Sequence, residues 1–114
     1  MATKELVFKS GDNYENWKMK MTEVLASKGM FGLDKKYAEW KKENPIKARQ
    51  HSKEDDLTDL YDAEQKQALY MLYRYLDGDV LMKVQEQQTY KEAIKKLDGI
   101  YLKKRRYQHY LGHS

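Results

Sequence analysis

The side chains with the clearest chemical potential crowd the C-terminal end of this 114-residue chain. Lys103, Lys104, Arg105 and Arg106 are consecutive and are followed by Tyr107, His109 and Tyr110. Consecutive cations on a helix wrap around its axis, so two or three can reach the phosphates of one partner, with tyrosine rings close enough to stack on unpaired bases. Contact of this kind is indifferent to sequence and weakens steeply with salt. RNA is the partner this run points to, although cations at a helix C-terminus also complement the macrodipole. His109 and His113 stand four apart and would share one helical face as a pair of metal ligands. Two ligands do not complete a metal site. Asp55, Asp56 and Asp59 form an acidic cluster that capping and solvation explain.

Catalytic signatures are absent from the sequence. It holds no Gly-rich phosphate loop, no metalloprotease helix motif and no serine in a nucleophile-elbow context. With no cysteine, a zinc knuckle, a disulfide framework and a thiol nucleophile are excluded within it. The expectation is a protein that is not an enzyme, with no cofactor, no metal and no small-molecule substrate.

Charge sharpens the contrast between the two ends. From Lys91 onward there are seven Lys or Arg against two acidic residues, whereas fifteen basic and sixteen acidic residues precede it. A basic tail on a balanced body suits a polyanion. No stretch approaches the roughly 20 apolar residues of a membrane span, and the N-terminal residues lack a secretion-signal layout. A cytoplasmic location without membrane contact is therefore expected. At this length one domain is expected, and its core is small enough that partner chains covering apolar surface would add useful stability.

The elements that must position these residues are helical. Lys4 to Ser10, with Leu6 and Phe8, reads as an extended part of an arm over residues 1–12. Asp12 or Asn13 can cap a helix whose apolar face is Tyr14, Trp17, Met21, Val24 and Leu25. Gly29 can close it, with Met30 making the accompanying apolar contact. Asp34 is placed to cap a short helix bearing Tyr37 and Trp40, which Asn44-Pro45 stops. The polar stretch 45–56 reads as a loop or weak helix. A long central helix from Leu57 or Asp59 to Leu76 presents Leu60, Ala68, Leu69, Leu72, Tyr75 and Leu76. Asp79 can cap a short helix bearing Val80, Leu81 and Val84. Thr89 and Glu92 form a capping box ahead of a last helix with Ala93, Ile94, Leu97, Ile100 and Tyr101, in which Gly99 suggests close packing or a bend. The fold class is all-α: a compact bundle of about five helices over residues 13–110, an arm before it and a tail over 111–114. Tyr14, Trp17, Met21, Leu25, Leu72, Leu76, Leu97 and Tyr101 are the expected core.

Three blocks of this pattern resemble Gag polypeptides of copia-type LTR retrotransposons. The first is Phe8, Gly11, Asn13-Tyr14, Trp17 and Met21. The second is Ala68, Leu72 and Leu76-Asp77, followed by Val80 and Val84. The third is Thr89-x-x-Glu92-Ala93-x-x-x-Leu97-x-x-x-Tyr101. They occur in the family's order and span roughly residues 8–106. One extra residue separates Phe8 from Gly11, and Ile94 stands where the family usually has Trp. The family's polypeptides continue into further helices and usually a Cys-His zinc knuckle, so the resemblance implies either the first capsid domain of a longer Gag or a shortened, domesticated Gag-derived protein. It further implies a domain that self-associates, or joins a longer Gag, to build a particle shell around RNA. Leu6, Phe8 and Trp40 are the expected self-association contacts. Rival readings are a nucleic-acid-binding module acting through the basic run, and a Gag fragment that modulates assembly of its parent.

Overall fold

The computed structural model describes residues 6–112, with side chains as far as residue 102. Among the described residues are six helices: α1 (Tyr14–Ser27), α2 (Tyr37–Glu43), α3 (Pro45–Gln50), α4 (Glu54–Arg74), α5 (Gly78–Val84) and α6 (Tyr90–Gly112). An all-α bundle is what the periodicities predict, with one helix more than expected.

Local chemistry sets most boundaries. Asn13 caps α1, its Oδ1 accepting from the Asn16 N–H at 3.0 Å. The other end closes with Gly29 at φ 78°. There the Met30 N–H donates to Leu25 O and the Gly29 N–H to Ala26 O, both at 2.9 Å. These two bonds are a Schellman closure, and the burial of Met30 and Leu25 supplies its apolar contact. At α6 the Thr89 Oγ1 accepts from the Glu92 N–H at 3.1 Å. The reciprocal bond goes to the Gln88 N–H at 3.3 Å, one residue earlier than the simplest capping box.

Several boundaries depart from the sequence reading, each for a physical reason. Asp34 does not cap α2, because the chain turns first, with the Lys35 N–H donating to Gly32 O at 3.1 Å, and the helix starts after Lys36. Within the stretch read as a loop or weak helix, residues 45–50 form a short helix. Pro45 sits in its first turn, where no N–H is needed and the ring presets φ. Helix α4 begins ahead of its apolar stripe, since Glu54, Asp55 and Asp56 occupy the first turn where acidic side chains are favoured. It also ends before Leu76. Leu76 forms an isolated parallel bridge with Phe8, in which the Phe8 N–H donates to Tyr75 O and the Asp77 N–H to Phe8 O, both at 2.9 Å. Asp77, rather than Asp79, then stands at the N-cap of α5. The backbone of α6 continues to Gly112, into what reads as the tail. Gly99 is exposed and a Cβ there would meet nothing within 4 Å, so its expected close packing is not found.

Helix α4 packs on α6, with α1 and α5 also against α6 and α2 against α4. Tyr14, Trp17, Met21, Leu25, Leu72, Leu76 and Leu97 are all buried, and Tyr101 is half-buried against them. Large apolar side chains contribute about 1.5–3 kcal/mol each when fully buried, so this cluster is what offsets the entropy of ordering so small a chain.

Candidate interaction surfaces

The aromatic residues of the arm and of α1 meet those of α6. The Phe8 ring lies 5.5 Å from Tyr14, 5.3 Å from Trp17 and 4.9 Å from Tyr101, the last at an interplanar angle of 82°. Tyr14 stacks on Tyr101 at 5.5 Å. The Tyr14 hydroxyl donates to Asp98 Oδ1 at 2.7 Å, and Lys18 Nζ reaches both Asp98 oxygens at 3.0 Å. Burial, reinforced by the hydrogen bond to Asp98, pushes the Tyr14 phenol far above its ordinary 10.0.

This arrangement corrects the expected self-association contacts. Phe8 is 1% exposed and Trp40 is 0% exposed, so neither offers a surface to a partner; Leu6 is half-buried. Phe8 is drawn in because its backbone pairs between Tyr75 and Asp77, which aims the ring into the cluster. Trp40 is drawn in because α2 is not a peripheral helix. Its ring lies 5.8 Å from Tyr37 and 5.1 Å from Tyr61 of α4.

A second set of polar side chains, not anticipated from the sequence, ties the α2–α3 end together. Gln65 is 1% exposed; its Nε2 donates to Leu33 O at 2.6 Å and its Oε1 accepts from the Lys91 N–H at 2.9 Å. One amide thereby joins α4, the loop after α1 and the start of α6. Buried Asn44 donates through Nδ2 to Trp40 O at 2.8 Å and to Phe31 O at 3.1 Å. The Tyr61 hydroxyl donates to Lys35 O at 2.6 Å. Lys47 Nζ bonds Gly29 O and Glu64 Oε2, both at 2.7 Å, and so pins α3 to α4. Tyr37 and Lys41 both bind Glu54. The sequence signal for this set is faint: a Gln on the apolar stripe of α4, at the position one turn before Leu69.

A groove of about 450 Å³ lies between the loop at Asp34–Lys36 and the first turns of α6, with Ile94 in its wall among lysines and acids. Two of its charges are already engaged, Lys35 by Glu43 and Asp98 by Lys18. The mixture favours no single charge class of ligand. No group of His, Asp and Glu that could hold a metal occurs among the described residues, and no helix among them is long and apolar enough to cross a membrane. Asp55 and Asp56 are exposed in the first turn of α4. The side chains of Lys103, Lys104, Arg105, Arg106, His109 and His113 lie outside the described residues.

What the core leaves outside is a short set of large apolar side chains. Phe31 is 47% exposed and Ile46 61%, and they sit on segments that Asn44 and Lys47 tie together through Phe31 O and Gly29 O. Tyr70, 63% exposed, lies on the outer face of α4 beside Tyr73, and Met19 and Met82 are exposed on α1 and α5. Compared with family models, with curated proteins and with solved structures, the chain finds no match.

Proposed function

We propose that this chain is a structural assembly domain of the Gag capsid type, whose copies pack through apolar side chains left outside the core and build a shell around RNA. The observation that supports this reading is the fate of the three Gag-like blocks. Phe8, Tyr14 and Trp17 of the first, Leu76 of the second and Tyr101 of the third are far apart in sequence and converge on one aromatic cluster. In this reading the block residues specify the domain, and the contacts between copies fall to side chains outside them. Phe31 and Ile46 are the pair assigned to that role, because exposed apolar groups on adjacent, internally braced segments lose little entropy when covered.

Sedimentation equilibrium over a wide concentration range, with and without single-stranded RNA, tests the assignment. The wild-type chain is expected to associate as concentration rises without RNA. The double variant Phe31→Asp, Ile46→Asp is expected to remain monomeric with an unchanged thermal melt, since both positions are exposed. A wild-type chain that stays monomeric at every concentration would overturn the reading, as would a variant that associates like the wild type.

A further inference from the structure

The outer face of α4 carries an arrangement that neither the core nor the assembly reading uses. Lys66, Tyr70 and Arg74 are spaced by four and lie on one helical face, and all three are exposed. Each step of four residues advances about 6 Å along the axis, so Tyr70 stands midway along the helix between two cationic positions. Neither Lys66 nor Arg74 pairs with a carboxylate among the described residues. Arg74 is in the last turn, where the helix dipole favours a cation. Lys66 stands two turns earlier, beyond the reach of that effect, and has no such explanation.

The ring itself is unusually available. Tyr70 is 63% exposed and its hydroxyl bonds nothing among the described residues. Tyr73 lies 6.5 Å away at an interplanar angle of 57°, with its own hydroxyl 3.5 Å from the carbonyls of Gln85 and Gln87, and so walls one side of Tyr70. Gln67, also exposed, adds an amide able to pair with a base edge. Exposed acids Asp62 and Asp79 lie in sequence before and after this segment and bound the positive stretch, which makes the footprint short.

We propose that Lys66, Tyr70 and Arg74 form a docking surface for single-stranded nucleic acid, with one base stacked on Tyr70 and the adjoining phosphates on the two cations. An aromatic face flanked by cations suits an unpaired strand, because every base offers a π-face while a duplex hides its own. An acidic peptide would use the cations and leave the ring idle. The surface uses neither Phe31 nor Ile46, and binding to it needs no assembly.

The test is fluorescence anisotropy with a labelled 12-nucleotide single-stranded RNA, at protein concentrations where the chain is monomeric. The same strand in duplex form and an oligoglutamate peptide serve as further probes. Tyr70→Ala is expected to weaken single-strand binding about tenfold, in the range of one lost stacking contact, and Tyr70→Phe to retain it. Lys66→Gln with Arg74→Gln is expected to reduce the slope of log affinity against log salt by roughly 1.4, about 0.7 per phosphate contact. All these positions are exposed, so the fold is retained, and residues 103–106 stay intact in every variant. Unchanged affinity in Tyr70→Ala assigns binding to another surface and overturns the proposal. So does equal binding of duplex or oligoglutamate that is indifferent to Tyr70, and so does absence of binding by the wild type.

Discussion

The two ends of this bundle are held by different chemistry. At the arm end, Phe8, Tyr14, Trp17 and Tyr101 interlock ring against ring, and the main polar contact is the Asp98 carboxylate shared by Tyr14 and Lys18. At the α2–α3 end, Trp40 and Tyr61 pack closely, but the connections are made by polar side chains: buried Gln65 and Asn44 to backbone groups, and half-buried Lys47 to both a carbonyl and buried Glu64. Ring packing is tolerant of small shifts, because dispersion and edge-to-face contacts fall off gradually. A buried amide is not, because each unmade bond leaves a desolvated group behind. The arm end should therefore fail by losing volume and the α2–α3 end by losing single atoms.

Removing a whole ring should have the largest effect and should make the two ends look alike. Phe8→Ala and Trp40→Ala are each expected to cost about 3–5 kcal/mol in urea unfolding, the range for truncating a fully buried aromatic. A loss below 1 kcal/mol for Phe8 would mean that the arm does not belong to the cooperative unit.

The next substitution separates the ends. Gln65→Met keeps the volume but leaves Leu33 O and the Lys91 N–H without partners, at an expected cost of about 2–4 kcal/mol. Leu72→Met, at an equally buried position on the same helix, should cost under about 1.5 kcal/mol as a volume-conserving apolar swap. Equal losses for the two variants would show that the amide's bonds count for no more than its packing.

The smallest effect concerns pH. Burial, with the bond to Asp98, raises the Tyr14 phenol, burial raises Tyr90, and burial with Glu54 pushes Tyr37 up to about 12. The unfolded chain releases these protons near the ordinary value of 10.0, while the folded chain retains them. Their contribution to stability is thus fully present below pH 10 and declines as pH rises beyond it. Absorbance titration near 295 nm should show part of the tyrosine ionising only as the chain unfolds. Tyr14→Phe should lower stability at neutral pH by about 1.5 kcal/mol, from the lost bond to a carboxylate, and should make the alkaline decline shallower. An unaltered alkaline profile would remove Tyr14 from this account.

The two ends were also unequally legible. The arm-end cluster follows from Tyr14, Trp17 and Met21 at helical spacing, with Asn13 and Gly29 marking where that helix starts and stops. Caps and periodicity are local, so the residues that create them sit within a few positions of one another. The same local logic gave the capping box at Thr89 and the apolar stripe through Leu69 and Leu72. It could not give the partner of Phe8, because the bridge to Leu76 joins positions far apart in sequence. Nor could it place Trp40: a short helix with two aromatics looks peripheral until Tyr61 is known to lie against it.

For the interaction surfaces the balance tips further toward tertiary structure. Sequence alone determined that the chain is helical, that its positive charge gathers from Lys91 onward, and which residues make up most of its core. It could not rank aromatic residues by exposure, since Trp40 stands among Lys and Glu while Tyr70 stands among Leu69, Met71 and Leu72, and local composition suggests the opposite of what is found. Packing decided that Trp40 is sealed and Tyr70 open, and that Gln65 spans three elements. Exposure and long-range hydrogen bonding are properties of which faces meet, and that is settled only when every helix has found a partner for its apolar side.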